Sequence, residues 1–192
     1  LANQAVTHFT DHPEQIPEGV TLYIVISASP DTARAPGELP GRLNSNGVDA
    51  NRNWDCRWAP DAKWRNQVIS GSGGPEPFSE PEVRALADLL VAEAATAVVF
   101  WEARAERGLV SPGGCGDRTA VSGPLAIRYG SAAGYDIAEF EALTNQELNG
   151  DGTNWLDSIG IPAVSVLLPR YDASDWQANL DGMLAVMEEY AR

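Results

Sequence analysis

Three short apolar runs decide most of what this chain can fold into. Thr21-Leu22-Tyr23-Ile24-Val25-Ile26, Ala97-Val98-Val99-Phe100-Trp101 and Ala163-Val164-Ser165-Val166-Leu167-Leu168 carry apolar side chains on both faces. That is the pattern of strands buried inside a sheet. Helical spacing surrounds them. Residues 2–11 place Ala5, Val6 and Phe9 on one face, and Pro13 with Pro17-Glu18-Gly19 closes that segment. Ser79-Glu80-Pro81-Glu82 reads as a helix start, with Ser79 as cap, Glu82 closing a capping box, and Val83, Leu86, Leu89 and Leu90 as the buried stripe. That helix is predicted to run to about Ala95. A last helix over roughly 176–191 turns Trp176, Leu180, Met183 or Leu184, and Met187 inward. Strands separated by helices predict an α/β fold, and 192 residues with 44% hydrophobic content predict a single domain with a real core.

Charge narrows the partners. With 27 acidic against 13 basic residues the formal charge is −14, which argues against a nucleic-acid backbone or an anionic membrane as ligand. No apolar stretch approaches the roughly 20 residues of a membrane span, and the N-terminus does not read as a secretory signal. Cys56 and Cys115 are too few and too far apart for a structural zinc site but are compatible with one disulfide. Such a bond implies a secreted or cell-envelope protein.

The chemistry-bearing stretch is the long loop between residues 31 and 78, rich in Gly, Pro, Asn and Trp. A loop of that length inside a compact domain is usually functional. Within it, Arg42-Leu43-Asn44-Ser45-Asn46-Gly47-Val48-Asp49-Ala50-Asn51-Arg52-Asn53-Trp54 combines guanidinium forks with side-chain amides, a pairing suited to a carboxylate. The order Ser29-Pro30-Asp31, Arg42, Gly47 to Trp54, Phe78-Ser79-Glu80-Pro81-Glu82, then Asn149 to Leu156 and Gly160-Ile161-Pro162-Ala163-Val164-Ser165-Val166 resembles zinc carboxypeptidases of the carboxypeptidase A type. The resemblance implies a mixed β-sheet flanked by helices, the phosphorylase/hydrolase-like fold of that family. It also implies that Asn51 and Arg52 grip the C-terminal carboxylate of a peptide and that Arg42 polarises the scissile carbonyl and stabilises the oxyanion.

The departures from the family pattern are equally specific. The family zinc ion is held by His-x-x-Glu and a later histidine, leaving one position open for the water it activates. No His-x-x-Glu occurs here, and the only histidines are His8 and His12. His8-Phe9-Thr10-Asp11 lies in the helix that follows the motif in the family, and reads as a surface helix. Glu102 stands where the third ligand is expected and is the one position left that could touch a metal; its plainer reading is an acid facing solvent or paired with Arg104. Leu167 stands where the general-base glutamate is expected, a loss that costs about 10²–10⁴ in rate. Gln146 falls near the place of the family's mobile tyrosine.

The chain starts at Leu1, and the resemblance implies that the sheet strands preceding His-x-x-Glu are absent from it. Such a chain is expected to fold poorly unless upstream residues or a partner chain complete the sheet. The leading expectation is a degenerate carboxypeptidase-like domain that binds a peptide or protein C-terminus without hydrolysis and holds no cofactor as given. The alternatives are an active, zinc-dependent metallocarboxypeptidase completed by residues upstream of Leu1, and a structural or assembly subunit.

Overall fold

The structure is a computed structural model describing residues 1–32, 35–65, 67–116 and 118–191. In chain order its elements are α1 (Ala2–Asp11), the hairpin strands β1 (Ala62–Trp64) and β2 (Gln67–Ile69), α2 (Pro81–Ala92), β3 (Val98–Ala103), β4 (Leu109–Pro112), α3 (Gly123–Ala133), β5 (Asp136–Ile137), α4 (Phe140–Thr144), α5 (Gly152–Ser158), β6 (Ala163–Leu168) and α6 (Trp176–Tyr190). The main sheet runs β3-β6-β4-β5, with β3 parallel to β6, β4 antiparallel to β6 and parallel to β5. It is the mixed sheet flanked by helices that the family resemblance implies.

Strand alternation sorts the core into two layers. Val164 and Val166 of β6 and Val110 of β4 face α1, α3 and α6, meeting Phe9, Leu125, Tyr129, Leu180, Met183 and Met187. Trp101 of β3 turns the same way, and its Nε1 donates to the Tyr129 hydroxyl at 3.0 Å. Phe100 points to the other side, where Trp54, Phe78, Val83, Ala87 and Trp155 form a smaller aromatic cluster beneath α2. Burying the Trp and Phe side chains of that cluster is worth about 2 kcal/mol each, enough to fix a loop that lacks regular structure.

Three expectations are corrected. Residues 21–26 form no strand: they run extended with Leu22 and Ile24 half-buried while Tyr23, Val25 and Ile26 stay exposed. The alternation is that of a strand, but no described neighbour pairs with its backbone, and β3 is itself an edge of the sheet. The segment is held instead by its tip, the Tyr23 hydroxyl donating to Glu93 Oε2 at 2.6 Å. Ser79 does not cap α2. The N-cap position is Glu80, because Ser79 Oγ is engaged by Asn53 Nδ2 and donates to Glu80 Oε1, and Glu82 accepts from Asn44 rather than closing a box. Leu89 is exposed, and the buried stripe of α2 is Val83 and Ala87 with Leu86 and Leu90 partly covered. In the last helix Met183 is buried and Leu184 only partly so.

Candidate active-site cleft

A cleft of about 1310 Å³ opens between the extended segment 19–26, the second half of α2 and the free side of β3. Its walls there are apolar. At the end where β3 and β6 finish, it becomes polar, lined by Arg42, Asn51, Arg52, Glu102, Asp151 and Ser165. Ligands of open α/β sheets gather at this carboxyl end of the strands.

Each polar group is placed by a local cause. Asp49 caps the single turn Ala50–Arg52, its Oδ1 accepting from Asn51 N at 3.0 Å, while its Oδ2 accepts from Arg42 Nε at 2.6 Å. One carboxylate therefore sets both the turn and the arginine beside it. Arg52 is buried and donates through Nε to Lys63 O at 3.1 Å and through Nη1 to Asn51 O at 2.5 Å. Asn51 reaches across the chain: its Nδ2 donates to Asp151 Oδ2 at 3.0 Å and its Oδ1 accepts from Gly152 N at 3.1 Å. Arg52 Nη1 lies 3.9 Å from the same Asp151 oxygen.

Asn53 is the buried hub beneath. Its Nδ2 donates to Gly73 O, Glu76 O and Ser79 Oγ, and its Oδ1 accepts from Glu80 N. Glu80 accepts from Asn44 and Asn46; burial would raise its pKa, but these hydrogen bonds and that from Ser79 outweigh it and hold the carboxyl below its ordinary value. On the far side Cys56 and Cys115 form a disulfide with Cα atoms 6.0 Å apart, and Arg57 grips Glu141 through both amino groups. The loop carrying Arg52 is thus fastened to the 113–116 and 139–154 segments.

Glu102 and Leu167 are register partners on β3 and β6, so their side chains share the cleft face. Glu102 is half-buried and does not pair with Arg104; its Oε1 accepts from Ser165 Oγ at 3.0 Å, and Ser165 Oγ also meets Thr153 Oγ1 at 2.8 Å. Burial pushes the Glu102 carboxyl above its ordinary range, the charge of Asp151 pushes it further, and Arg42 and Arg52 pull it back. Asp151 is likewise raised by burial, with Arg52 and hydrogen bonds from Asn154 and Asn51 offsetting part of the effect. Gln146 lines the same cleft. His8 lies elsewhere, its Nε2 2.9 Å from Gln15 Oε1 and its ring against Trp176.

Residues 1–112 match the family model described as zinc carboxypeptidase. The chain belongs to the zinc carboxypeptidase family. A stretch of 49 residues is 43% identical to human carboxypeptidase A6 and 41% identical to the mouse protein, covering 26% of this chain and 11% of either relative. The fold is similar to carboxypeptidase A from Helicoverpa armigera, with TM-score 0.60 and 18% identity over 88% of this chain and 50% of that one. It is also similar to murein-tripeptide amidase MpaA from Escherichia coli O157, with TM-score 0.55 and 23% identity over 88% of this chain and 66% of that one. The chain therefore spans about half to two-thirds of the length of these two solved structures.

The zinc ion that gives the family its name needs about three protein ligands drawn from His, Cys and carboxylate groups. Among the described residues no three His, Cys, Asp or Glu side chains come together as such a group. In the cleft, Glu102 lies hydrogen-bonded to Ser165 and under the positive charge of Arg42 and Arg52.

Proposed function

We propose that this domain binds the free C-terminal carboxylate of a peptide or protein without hydrolysing it. The observation that carries the reading is the placement of Asn51 and Arg52 beside Arg42 at the polar end of the cleft, all from one loop clamped by Asp49 and Asn53. A guanidinium beside an amide donor is the arrangement that recognises a carboxylate. Leu167 across from Glu102 supports the absence of turnover, because an alkyl side chain takes no proton from water. The apolar walls beyond the arginines suit the side chains of a peptide tail. The disulfide supports an oxidising, secreted or cell-envelope setting.

A second reading is favoured by a separate observation. Residues 20–26 and the free side of β3 face the same cleft, and the segment's Tyr23, Val25 and Ile26 are exposed. A further strand, from upstream residues or a partner chain, would complete the sheet there, making the chain an assembly unit.

Both readings meet one experiment: calorimetric binding of N-acetyl-phenylalanyl-leucine and of its C-terminal amide to wild type and Arg52→Ala, with zinc-supplemented hydrolysis assayed alongside. The carboxylate reading expects the acid to bind at least tenfold more tightly than the amide, with the preference lost in Arg52→Ala. Equal binding of acid and amide sinks it, and turnover of the acid with zinc replaces it by an active carboxypeptidase. An assembly unit keeps its partner when Arg52 is removed.

A further inference from the structure

The Asn51–Arg52 pair already holds a carboxylate of the chain itself. We infer that Asp151 is an internal stand-in for the ligand: its Oδ2 sits at the Asn51–Arg52 grip, so that an incoming carboxylate binds only by displacing it, and Asp151 thereby sets the affinity and selectivity of the cleft. This rests on the carboxylate-binding reading above.

The two oxygens of Asp151 have separate tasks. Oδ1 caps α5 by accepting from Asn154 N at 3.0 Å. Oδ2 accepts from Asn51 Nδ2 at 3.0 Å but stays 3.9 Å from Arg52 Nη1, beyond hydrogen-bonding distance. The stand-in is therefore an incomplete ligand. It is tethered on both sides: Gly150 N donates to Cys56 O at 2.8 Å and Gly150 O accepts from Trp54 N at 3.1 Å, while Oδ1 is committed to the α5 cap. A free carboxylate is not so tethered and can take both prongs of the guanidinium, the stronger bidentate arrangement. Displacement thus has a driving force, opposed by the loss of the Asn51 bond and by repulsion from the two carboxylates that remain.

The groups facing Asp151 are Arg52 and Asn51 from the 50–52 turn, Arg42 from the same loop and Glu102 from β3. Arg42 is itself committed to Asp49, so Arg52 is the cation for which Asp151 and a ligand compete. Asp151→Asn would keep the helix cap while removing the competing charge.

The test compares the acid and amide forms of N-acetyl-phenylalanyl-leucine on wild type, Asp151→Asn and Asp151→Ser, the serine variant also preserving a cap. The inference expects affinity for the acid to rise at least tenfold in either folded variant, with affinity for the amide unchanged. A variant that folds and keeps the wild-type affinity for the acid overturns it, while a retained acid-over-amide preference leaves the carboxylate reading standing. Loss of that preference in every protein overturns both. On the wild type alone, saturating acid should shift the amide resonances of Asn154 and Gly152, which report Asp151 Oδ1 and Asn51 Oδ1, and the amide form should not. Saturation without movement of Asn154 also overturns the displacement.

Discussion

Gly150→Ala strikes the point where the two halves of the carboxylate grip meet. Gly150 has φ +62° and carries two loop hydrogen bonds, its N donating to Cys56 O at 2.8 Å and its O accepting from Trp54 N at 3.1 Å. A Cβ there would lie 2.1 Å from Arg52 O and 2.5 Å from Arg52 C. The left-handed backbone alone costs alanine about 1–2 kcal/mol. The overlap is with main chain, so no rotamer change relieves it, and overpacking of this kind adds about 1–3 kcal/mol. The expected loss is therefore about 2–5 kcal/mol, a large part of the roughly 5–15 kcal/mol that holds a domain folded. Urea denaturation followed by tryptophan fluorescence reads it directly, because Trp54 and Trp155 lie in the cluster beneath this loop. The alternative to unfolding is a backbone shift that carries Arg52 away from Asp151, which would appear as altered acid-over-amide selectivity. An alanine variant within roughly 0.5 kcal/mol of wild type, with selectivity unchanged, would refute the reasoning, since neutral surface changes fall in that range.

Two further outcomes are expected. Joining residues 59 apart, the Cys56–Cys115 bond restrains the unfolded chain by about 4 kcal/mol on the loop-entropy relation, so the double alanine variant should lose a comparable amount in urea titrations; a loss under about 1 kcal/mol would mean the unfolded chain is already constrained there. Glu102→Gln should stabilise the protein at neutral pH and matter less near pH 4. Desolvation of the half-buried carboxyl raises its pKa, so as pH climbs above the ordinary glutamate range of about 4 the unfolded chain ionises first and the folded state loses ground. Thermal melts of both proteins from pH 4 to 8 check the sign, and a variant that is less stable at pH 8 than wild type contradicts it.

The elements legible in the sequence were those with a period of their own. The 163–168 strand and the helices at residues 2–11 and 176–190 follow from apolar spacing, and β3 is extended by two residues, Glu102 and Ala103, beyond the apolar run. The 21–26 segment has the same pattern yet is no strand, because strandedness belongs to a pair of backbones and periodicity reports only one. Ser79 shows another limit: its hydroxyl had two suitors, the helix N-terminus and Asn53, and only the folded loop decides between them. Arg42, Asn51 and Arg52 were legible through motif order. The importance of Asp151 was not, since its meaning arises from a neighbour 100 positions away. Asn53 carried one usable sign, its place inside the densest run of Asn and Arg in the loop.

The long reach of these contacts governs when the grip can form. Asn51 meets Gly152 across 101 positions, Arg57 meets Glu141 across 84, and Asn149 returns to Arg57 across 92. Each closes a large loop whose entropy is lost before the contact gives anything back. The local helices and the loop's nearer contacts to Lys63, Gly73 and Ser79 can form early, but the Asn51–Asp151 and Arg57–Glu141 fastenings wait until the 141–154 stretch has left the ribosome and docked. In kinetic terms the cleft is a late structure, and its tryptophan cluster should report a slower phase than the helices seen by far-ultraviolet dichroism.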